Sequence, residues 1–325
     1  MSESGLPAFL AQEIEKRYPA DTCERIFRGF AEARERPVTL RANTLRAARE
    51  EVASELDAAD IAHEGVAWYS DAFILGDTRK RAVWDLPLYR EGKVYLQSLS
   101  SMIPPLALAP RDGADVLDMC AAPGGKTAEM AALAPGAHLT ACEMSAPRAE
   151  KLTFNLNKLG VTAVNVMRTD ARRLDEFFSF DQILLDAPCT GSGTVRAGDA
   201  KAAVRITEKL LAKVTRSQRS LLDRALTVLK PGGVLVYSTC SILPQENEEQ
   251  VMAALKRHRD CEVMPLTGAL AEDAPARPAT AQAIADAAER CELPLLANGL
   301  AGTLTICPTR LYEGFYIAVI RKKAR

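Results

Sequence analysis

The sequence has little of what metal centres and disulfide frameworks require. Its 325 residues include only three histidines, and none of its eight cysteines belongs to a C-x-x-C pair. Zinc sites need closely spaced cysteine and histidine ligands, so no metal site is predicted. Disulfides are uncommon in large chains without a secretory signal, so most of the cysteines are expected to be small buried side chains. The eight are Cys23, Cys120, Cys142, Cys189, Cys240, Cys261, Cys291 and Cys307.

Long apolar runs and a large net charge are also missing. No stretch of about 18 apolar residues occurs, so no membrane span and no membrane partner are predicted. The N-terminal stretch MSESGLPAFLAQEIEKRYPA is amphipathic and acidic and has no secretory h-region, which favours a cytoplasmic protein. Because the net charge is only −1, any nucleic-acid site must be a local basic patch.

Both phosphate-binding glycine signatures are absent, although one glycine turn stands where a ligand would bind. In VLDMCAAPGGKT (116–127) a predicted strand runs into a Pro-Gly-Gly-Lys turn and then into a helix. A P-loop would need glycine at position 120, which is Cys120, and the dinucleotide pattern G-x-G-x-x-G does not occur. The turn is therefore not predicted to hold a phosphate.

Two acidic residues end the next two predicted strands. Glu143 can accept hydrogen bonds from ribose hydroxyls, and Asp170 is placed to face an adenine amino group. A glycine turn that has these two acids and lacks a phosphate-binding signature favours S-adenosylmethionine as the ligand. The alternative is that Pro123-Gly124-Gly125 is only a tight turn and Glu143 a solvated strand end.

Residues 1–92 and 93–325 are predicted to form two domains. The first has helical spacing and short strand-like runs in an order that favours a compact α+β module. The second has continuously apolar runs separated by helical stretches, as expected of a parallel sheet covered on both faces. Its predicted strands are 116–121, 138–143, 164–170, 182–188 and 233–240, and its main predicted helices are 97–108, 125–134, 146–159 and 207–230.

The end of the chain predicts an antiparallel edge for this sheet. The strand patterns over 302–309 and 314–323 are joined too closely to be parallel neighbours. The predicted fold class is therefore α/β, a doubly wound sheet with an antiparallel edge, preceded by a small α+β domain. Residues 268–297 are rich in alanine and proline and are predicted to be a loop with one helix.

Two cysteines fall at strand ends of the predicted sheet. Cys189 follows the strand that ends in LLDAP, and Cys240 follows the one that ends in VYST. In open parallel sheets, ligands bind at the carboxyl ends of the strands. Cys189, Cys240 and Asp186 are therefore predicted to lie where the reactive end of a cofactor would be.

At these positions the sequence resembles the NOL/NOP/Sun family of RNA cytosine-C5 methyltransferases. The resemblance covers nearly the whole chain and implies a Rossmann-like methyltransferase sheet with S-adenosylmethionine as cofactor. The stretches that carry it are PVTLRANT (37–44), YLQSLSSM (95–102), DMCAAPGGKT (118–127), DAPCTGSGT (186–194), STCSILPQENE (238–248) and EGFYIAVIRK (313–322).

The resemblance also implies roles for individual residues. Cys240 corresponds to the nucleophile, and Cys189 to a second cysteine that helps to release the product. Glu143 holds the ribose, Asp170 lies by the adenine, and Asp186 lies between the cofactor and the target base. The implied cofactor-binding residues are Cys120, Ala121, Ala122, Pro123, Gly124, Gly125, Lys126, Glu143, Arg148, Asp170 and Asp186.

C5 of cytosine is too weak a nucleophile to accept a methyl group unaided. A thiolate that adds to C6 makes C5 nucleophilic and divides one difficult step into easier ones. Lys126 and the cofactor's sulfonium are predicted to favour the thiolate, and Asp186 either donates to N3 or binds the exocyclic amine. The Pro-Cys position used by DNA cytosine methyltransferases points to Cys189 as the nucleophile. The family resemblance points to Cys240, which is the interpretation adopted.

The predicted partner is RNA, with small-subunit ribosomal RNA as the first choice and transfer RNA as the alternative. The stretch VRAGDAKAAVR (195–205) replaces the basic run ending in Asn-Pro-Asp that the family often carries. From Arg196 to Lys230, nine basic residues stand against three acidic ones, so this segment either contacts phosphates or is only solvated. The cations that recur at i, i+4, and are predicted to share one helical face, are Lys201, Arg205, Lys209 and Lys213.

Arg41 and Asn43 form a second candidate RNA surface, on a strand of the first domain. That domain is predicted to be an RNA-binding module, and the protein is expected to be a monomer. Two other functions are possible: a catalytically inactive ribosome-assembly factor and a small-molecule methyltransferase. The two cysteines and Asp186 argue against the first, and the separate N-terminal domain argues against the second.

Overall fold

The computed structural model describes residues 5–267 and 276–324. In that part of the chain a four-stranded sheet precedes a nine-stranded sheet, which confirms the predicted fold class. The elements in chain order are α1 (Ala8–Arg17), α2 (Ala20–Glu32), β1 (Thr39–Ala42), α3 (Arg49–Ala58), β2 (His63–Val66), β3 (Tyr69–Leu75), α4 (Lys80–Trp84), α5 (Pro87–Arg90), β4 (Val94–Leu96), α6 (Leu99–Leu108), β5 (Asp115–Asp118), α7 (Gly125–Leu133), β6 (His138–Cys142), α8 (Ala146–Lys158), β7 (Val164–Met167), β8 (Phe180–Asp186), α9 (Ala200–Arg205), α10 (Glu208–Val228), β9 (Leu229–Thr239), α11 (Glu248–Arg257), β10 (Cys261–Met264), α12 (Ala279–Glu289), β11 (Leu295–Leu296), β12 (Leu304–Ile306) and β13 (Phe315–Lys322).

The small sheet has the strand order β2-β3-β1-β4, and all its pairs are antiparallel. Its last strand, β4, pairs with β1 through Leu96 and Leu40 and lies after residue 92. The domain boundary at residue 92 therefore stays a prediction, and β4 brings the small sheet directly up to the large one.

The large sheet has the order β11-β12-β13-β9-β8-β5-β6-β7, and β10 also pairs with β13. Strands β5 to β9 run parallel to one another, whereas β13 runs antiparallel to β9, β10 and β12. The predicted antiparallel edge is therefore confirmed. The chain proceeds from β5 through β6 and β7 on one side and from β8 to β9 on the other. The order thus reverses between β5 and β8, where open α/β sheets bind ligands.

The apolar strands are buried on both faces, as their continuous pattern predicts. Leu184 and Val236 pack into one core with α6, α7, α8 and α12, and the next residues, Leu185 and Tyr237, pack into a second core with α10 and α11. Alternate residues of a strand point to opposite faces, so each strand supplies both cores. The sheet is thereby fixed between two helical layers, with its strand ends free to form a site.

Arg41 and Asn43 do not form an RNA surface, and that prediction is wrong. Both side chains are fully buried between the two domains. Asn43 donates hydrogen bonds to the carbonyls of Gly92 (2.8 Å) and Leu159 (2.7 Å). Arg41 Nε lies 3.8 Å from the Glu129 carboxylate on α7. Polar residues on a strand need not face water, because a domain interface can bury them beside polar or charged partners.

The four cations of the predicted helical face lie on two different helices. Helix α9 ends at Arg205, and α10 starts at Glu208 after extended backbone at Ile206 and Thr207. The Ile206 side chain is buried, and Thr207 Oγ1 caps α10 by accepting from Leu210 N (3.2 Å). Lys201 and Arg205 are therefore separated from Lys209 and Lys213, and a continuous face through all four is wrong.

The predicted helix within 268–297 is confirmed by α12, to which the structure adds the two-residue strand β11. Residues 268–275 of that segment lie outside the described residues. Among the helices of the described chain, none combines the length and the apolarity that crossing a membrane would need.

Candidate active site

A cleft of about 290 Å³ opens at the carboxyl ends of β5 and β8, where the strand order reverses. It is the place that the strand pattern predicts for a ligand. Eight of the predicted site residues line it: Cys120, Ala121, Ala122, Pro123, Gly125, Lys126, Asp186 and Cys240.

The glycines of the turn before α7 are required by its backbone and by close approaches. Gly124 has a φ of +105°, which a residue with a side chain rarely adopts. A Cβ at Gly125 would lie 2.5 Å from the ring of Tyr95 on β4. The turn can therefore contact the small sheet only because glycine stands there.

Glu143 and Arg148 join the wall of the cleft at Ala122. Glu143 is 4% exposed, and its carboxylate accepts from Ser145 N (2.8 Å) and lies 3.3 Å from Arg148 Nη1. Arg148 Nη2 in turn donates to the Ala122 carbonyl (3.0 Å). Arg148 thus links the predicted ribose acid to the predicted cofactor loop.

Asp170 follows β7, two strands from β5, and the lining of the cleft does not include it. Its carboxylate accepts from Arg172 Nε (2.9 Å) and Nη2 (2.7 Å) and from the Arg172 backbone N–H (3.1 Å). The hydrogen bonds from Arg172 hold the pKa of Asp170 below its usual value. Asp170 is therefore held as an ionised acceptor, and its place beside the adenine stays a prediction.

Asp118, at the end of β5, is a cleft residue that the sequence did not single out. Thr127 Oγ1 donates to its carboxylate (2.7 Å), and so does the backbone N–H of Cys120 (3.3 Å). Burial raises the pKa of Asp118 to about 6. Burial also raises the pKa of the Cys120 thiol well above its usual value, so this cysteine stays neutral. The signal was available, because Asp118 ends the strand that leads into the glycine turn.

Lys126 and Asp186 form an ion pair across the cleft. Lys126 Nζ lies 2.8 Å from Asp186 Oδ2 and donates to Ser101 Oγ (2.7 Å), while Ser238 Oγ donates to Asp186 Oδ1 (2.8 Å). Burial alone would lower the pKa of Lys126, but the Asp186 carboxylate outweighs it and the pKa is raised. A fixed positive charge and a fixed acceptor therefore stand side by side in the cleft.

The sulfur atoms of Cys189 and Cys240 lie 3.0 Å apart and share a hydrogen bond as free thiols. The hydrogen bond to Cys240, followed by burial, raises the pKa of Cys189 well above its usual value. Two adjacent thiols cannot both ionise readily, because one thiolate opposes the other. This favours Cys189 as the protonated member of the pair, and the roles that the family resemblance implies for the two cysteines stay predictions.

The turn that carries Cys240 is held by Asn247, another residue that sequence reasoning missed. Thr239 Oγ1 donates to Asn247 Oδ1 (2.6 Å), and Asn247 Nδ2 donates to the Ser241 carbonyl (3.0 Å). Asn247 thus binds the residues on both sides of Cys240. It belongs to the stretch STCSILPQENE, but only its position in the fold shows what it contacts.

The cleft also receives residues from the linker between the domains and from the last strand. The Gln97 Oε1 atom is buried and has no hydrogen-bond partner among the described residues. Phe315 lies below Lys126, with 5.7 Å between Nζ and the ring centroid. Both stand in stretches that carry the family resemblance, and further lining residues from the same stretches are Tyr95, Ser98, Ser101 and Glu313.

Comparison with known proteins assigns the chain to a family. The family model described as 16S rRNA methyltransferase RsmB/F matches residues 105–321. The chain belongs to this family. A ferredoxin-like domain of RsmF/B-like methyltransferases matches residues 6–80 of this RsmB/F family member, and the resemblance carried by its motifs is confirmed.

Two curated relatives are named ribosomal RNA small subunit methyltransferase B. The protein from Serratia proteamaculans is 38% identical and the one from Shewanella oneidensis 36% identical, each over 262 residues and 79% of this RsmB/F chain. The chain spans 59% of the length of both relatives.

Two solved structures share this fold. A methyltransferase homologue from Pyrococcus horikoshii has a TM-score of 0.71 and 31% identity, and the match covers 99% of this chain and 100% of that one. NSun6 from the same organism has a TM-score of 0.77 over 99% of both chains, with 21% identity, and this RsmB/F member therefore shares its fold.

Proposed function

We propose that this protein transfers a methyl group from S-adenosylmethionine to C5 of a cytosine in small-subunit ribosomal RNA, through a covalent bond between Cys240 and C6 of the base. The observation that carries the proposal is the pair of thiols 3.0 Å apart in a cleft that also presents the Lys126–Asp186 ion pair. Membership of the RsmB/F family supports it.

The cleft fits S-adenosylmethionine by the chemistry of its donors and acceptors. The carboxylates of Glu143 and Asp170 follow β6 and β7 and would receive the ribose and the adenine. The unpartnered Gln97 Oε1 and the backbone of the Pro123–Lys126 turn would receive the amino-acid end. Lys126 is already paired with Asp186, so the turn has no free cation for a phosphate. When bound, the cofactor supplies an electrophilic methyl group.

The first step is the addition of the Cys240 thiolate to C6 of cytosine. The S–C6 bond forms, and the electrons of the C5–C6 double bond move into the ring toward N3 and O2. The Lys126 ammonium stabilises the negative charge that develops there, and Asp186 accepts from the exocyclic amine. C5 then acts as the nucleophile toward the methyl group, whose bond to the sulfonium sulfur would break with its electrons staying on sulfur, and the adduct is left neutral.

Release requires that C5 lose its proton and that Cys240 leave. Once Cys240 is a thioether, it no longer opposes the ionisation of Cys189, so Cys189 can give its proton to solvent. The Cys189 thiolate then takes the C5 proton, the C5–C6 double bond re-forms, and the S–C6 electrons return to Cys240. Both cysteines thereby regain their starting states.

RNA as the substrate is supported by cations beside the turns that carry Cys189 and Cys240, called the cysteine turns below. Lys201 and Arg205 are exposed on α9, and the Arg205 guanidinium lies over Gly191, two residues from Cys189. Phosphate contacts at this place would compensate for the cost of unstacking the target base. The names of the relatives support small-subunit ribosomal RNA, and the N-terminal module, residues 1–92, is proposed as a second RNA-binding region.

The test uses purified protein, S-adenosylmethionine with a labelled methyl group, and small-subunit RNA made without modification. We expect label in 5-methylcytosine with the unaltered protein and none with Cys240→Ala. Cys189→Ala should attack and methylate but not release, so a slow-migrating protein–RNA band that depends on cofactor should accumulate on a denaturing gel. If the band forms with Cys240→Ala instead, the roles of the two cysteines are reversed. If label enters only transfer RNA, transfer RNA and not small-subunit ribosomal RNA is the substrate.

A further inference from the structure

A single buried carboxylate joins the two cysteine turns. Glu246 is 0% exposed, and it accepts hydrogen bonds from Thr190 N (2.8 Å) and Thr190 Oγ1 (2.6 Å). Ser241 Oγ donates to the same carboxylate (2.6 Å). Thr190 directly follows Cys189 and Ser241 directly follows Cys240, so Glu246 binds the neighbour of each thiol.

Helix α10 adds a third connection to this carboxylate. The buried amide of Gln218 donates to Glu246 Oε1 (3.2 Å) and to the Pro188 carbonyl (3.0 Å), which precedes Cys189. Within the described part of the chain, every hydrogen-bond partner of the Glu246 carboxylate is therefore a donor. An ionised carboxylate can accept from all of them at once, whereas an amide in its place would present a donor where an acceptor is needed.

The Ser241 hydroxyl has one proton, and Glu246 determines its direction. Because Ser241 donates to Glu246, it can only accept from Ser192 Oγ (2.8 Å) and from Leu243 N (3.0 Å). Ser192 stands on the Cys189 turn, so its contact with Ser241 also depends on Glu246. The backbone bond from Gly193 N to the Cys240 carbonyl (3.0 Å) completes the junction.

We infer that Glu246 is a positioning residue that sets the distance between the sulfur atoms of Cys189 and Cys240. Its hydrogen bonds go to the residue that follows each thiol, and its negative charge also raises the pKa of Cys189. Its effect on product release rests on the proposed function, whereas the sulfur–sulfur distance does not. Removal of the carboxylate should let the two turns separate while the sheet, the cofactor turn and the Lys126–Asp186 pair stay in place.

The test measures how readily the thiols of Cys189 and Cys240 are cross-linked, in the absence of RNA and cofactor. Dibromobimane bridges two thiols only when they are close, and peptide mapping locates the bridge; Cys291→Ala removes the exposed background thiol. We expect a Cys189–Cys240 bridge in this background, and a bridging rate that is lower by about tenfold or more in Glu246→Gln, since hydrogen bonds to a charged group are among the strongest. Thr190→Val and Ser241→Ala, which each remove one donor, should show a smaller decrease.

Tyr237→Phe is the matched control. The Tyr237 hydroxyl donates to the Glu246 backbone carbonyl (2.6 Å) and not to its carboxylate, so this variant should keep the bridge. An equal decrease in Tyr237→Phe and Glu246→Gln would overturn the inference in favour of a general packing role, and so would unaltered bridging in Glu246→Gln. If Glu246→Gln does not fold, the Thr190 and Ser241 variants decide, and normal bridging in both would overturn it.

A second measurement connects the distance to the reaction. With RNA and cofactor, Glu246→Gln should accumulate the same covalent band as Cys189→Ala while its affinity for cofactor stays normal. Rapid release in a variant that no longer forms the bridge would contradict the inferred link between spacing and release. If neither the unaltered protein nor any variant methylates RNA, the proposed function fails, but the bridging result still tests the role of Glu246.

Discussion

Glu143 offers the clearest test of the cofactor pocket at the level of one residue. Glu143→Ala removes a buried carboxylate proposed to bind the ribose, and we expect the affinity for S-adenosylmethionine to fall by about tenfold or more. Hydrogen bonds to a charged acceptor contribute about 1.5–3 kcal/mol each, which exceeds the roughly 1.4 kcal/mol of a tenfold change. Titration calorimetry measures the affinity, and Glu150→Ala, an exposed glutamate on α8, is the control. Equal affinities in both variants would remove Glu143 from the pocket.

The buried carboxyl group of Glu129 should make the free energy of unfolding depend on pH. It is fully buried beside Arg41 and Gln97, and burial raises its pKa to about 7 from a reference of 4.5. Because the folded pKa is the higher one, the contribution of Glu129 to stability is complete below about pH 4.5 and is lost as the pH rises toward 7. Glu129→Gln does not titrate, so its stability relative to the unaltered protein should rise over this window by up to about 3 kcal/mol. Urea unfolding between pH 4.5 and 8 measures the difference in the free energy of unfolding, and Glu64→Gln, the same change at an exposed position, is the control.

Residues whose position in the cleft follows from a strand end could be predicted, and residues whose position follows from a distant contact could not. Cys189, Cys240 and Asp186 are at strand ends, and the structure brings Asp186 and Cys240 into one cleft with Cys189 in contact. Glu246 binds the turn at Thr190, which is distant in the chain, and Asn247 binds the nearby turn that carries Cys240. No spacing rule in the sequence reveals such partners. Arg41 and Asn43 had a plausible surface chemistry, but the interface that buries them is a property of the tertiary structure.

Helix α9 as a whole is predicted to contribute to RNA binding. Lys201→Gln with Arg205→Gln should weaken RNA binding and make its dependence on salt shallower, by up to about 0.7 in log–log slope for each phosphate of single-stranded RNA that is no longer neutralised. Lys209→Gln with Lys213→Gln is the matched pair on α10, and it should change the slope less, because Arg205 is the cation that lies by the cysteine turn. Filter binding at several salt concentrations measures both slopes. Equal slopes in the two double variants would show that α9 has no special part in binding.

The break between α9 and α10 also shows what an i, i+4 count omits. The four cations have helical spacing, yet Thr207 is a capping residue and Ile206 is drawn into an apolar core with Val195 and Ala202. A cap in the middle of a periodic pattern is a helix start, and the sequence contained that signal. Helix α11 and strand β10 were not predicted, because the stretch after Cys240 stood out as a motif and not as an element.

The two domains are joined by buried polar contacts, and this makes the cleft a property of the whole molecule. Trp68 Nε1 in the small domain donates to Tyr312 Oη in the large one (2.9 Å), and Asn43 reaches the end of α8. Tyr95 and Gln97, between the domains, line the cleft itself. We therefore expect the chain to unfold as one cooperative unit, because the Pro123–Lys126 turn packs directly on the small sheet.

Asn43→Ala tests that coupling. The change leaves the buried carbonyls of Gly92 and Leu159 without their donor, which should cost about 1–3 kcal/mol. Because the missing hydrogen bond to Leu159 joins the domains, the small domain should unfold first, and tryptophan fluorescence should change at lower urea than the far-ultraviolet signal. Asn157 is an exposed asparagine on α8, the helix whose end Asn43 contacts. Asn157→Ala should leave the two transitions coincident. Coincident transitions in Asn43→Ala as well, with no decrease in stability, would mean that the interface does not depend on this side chain and that the contacts of Arg41 and Trp68 hold the domains together.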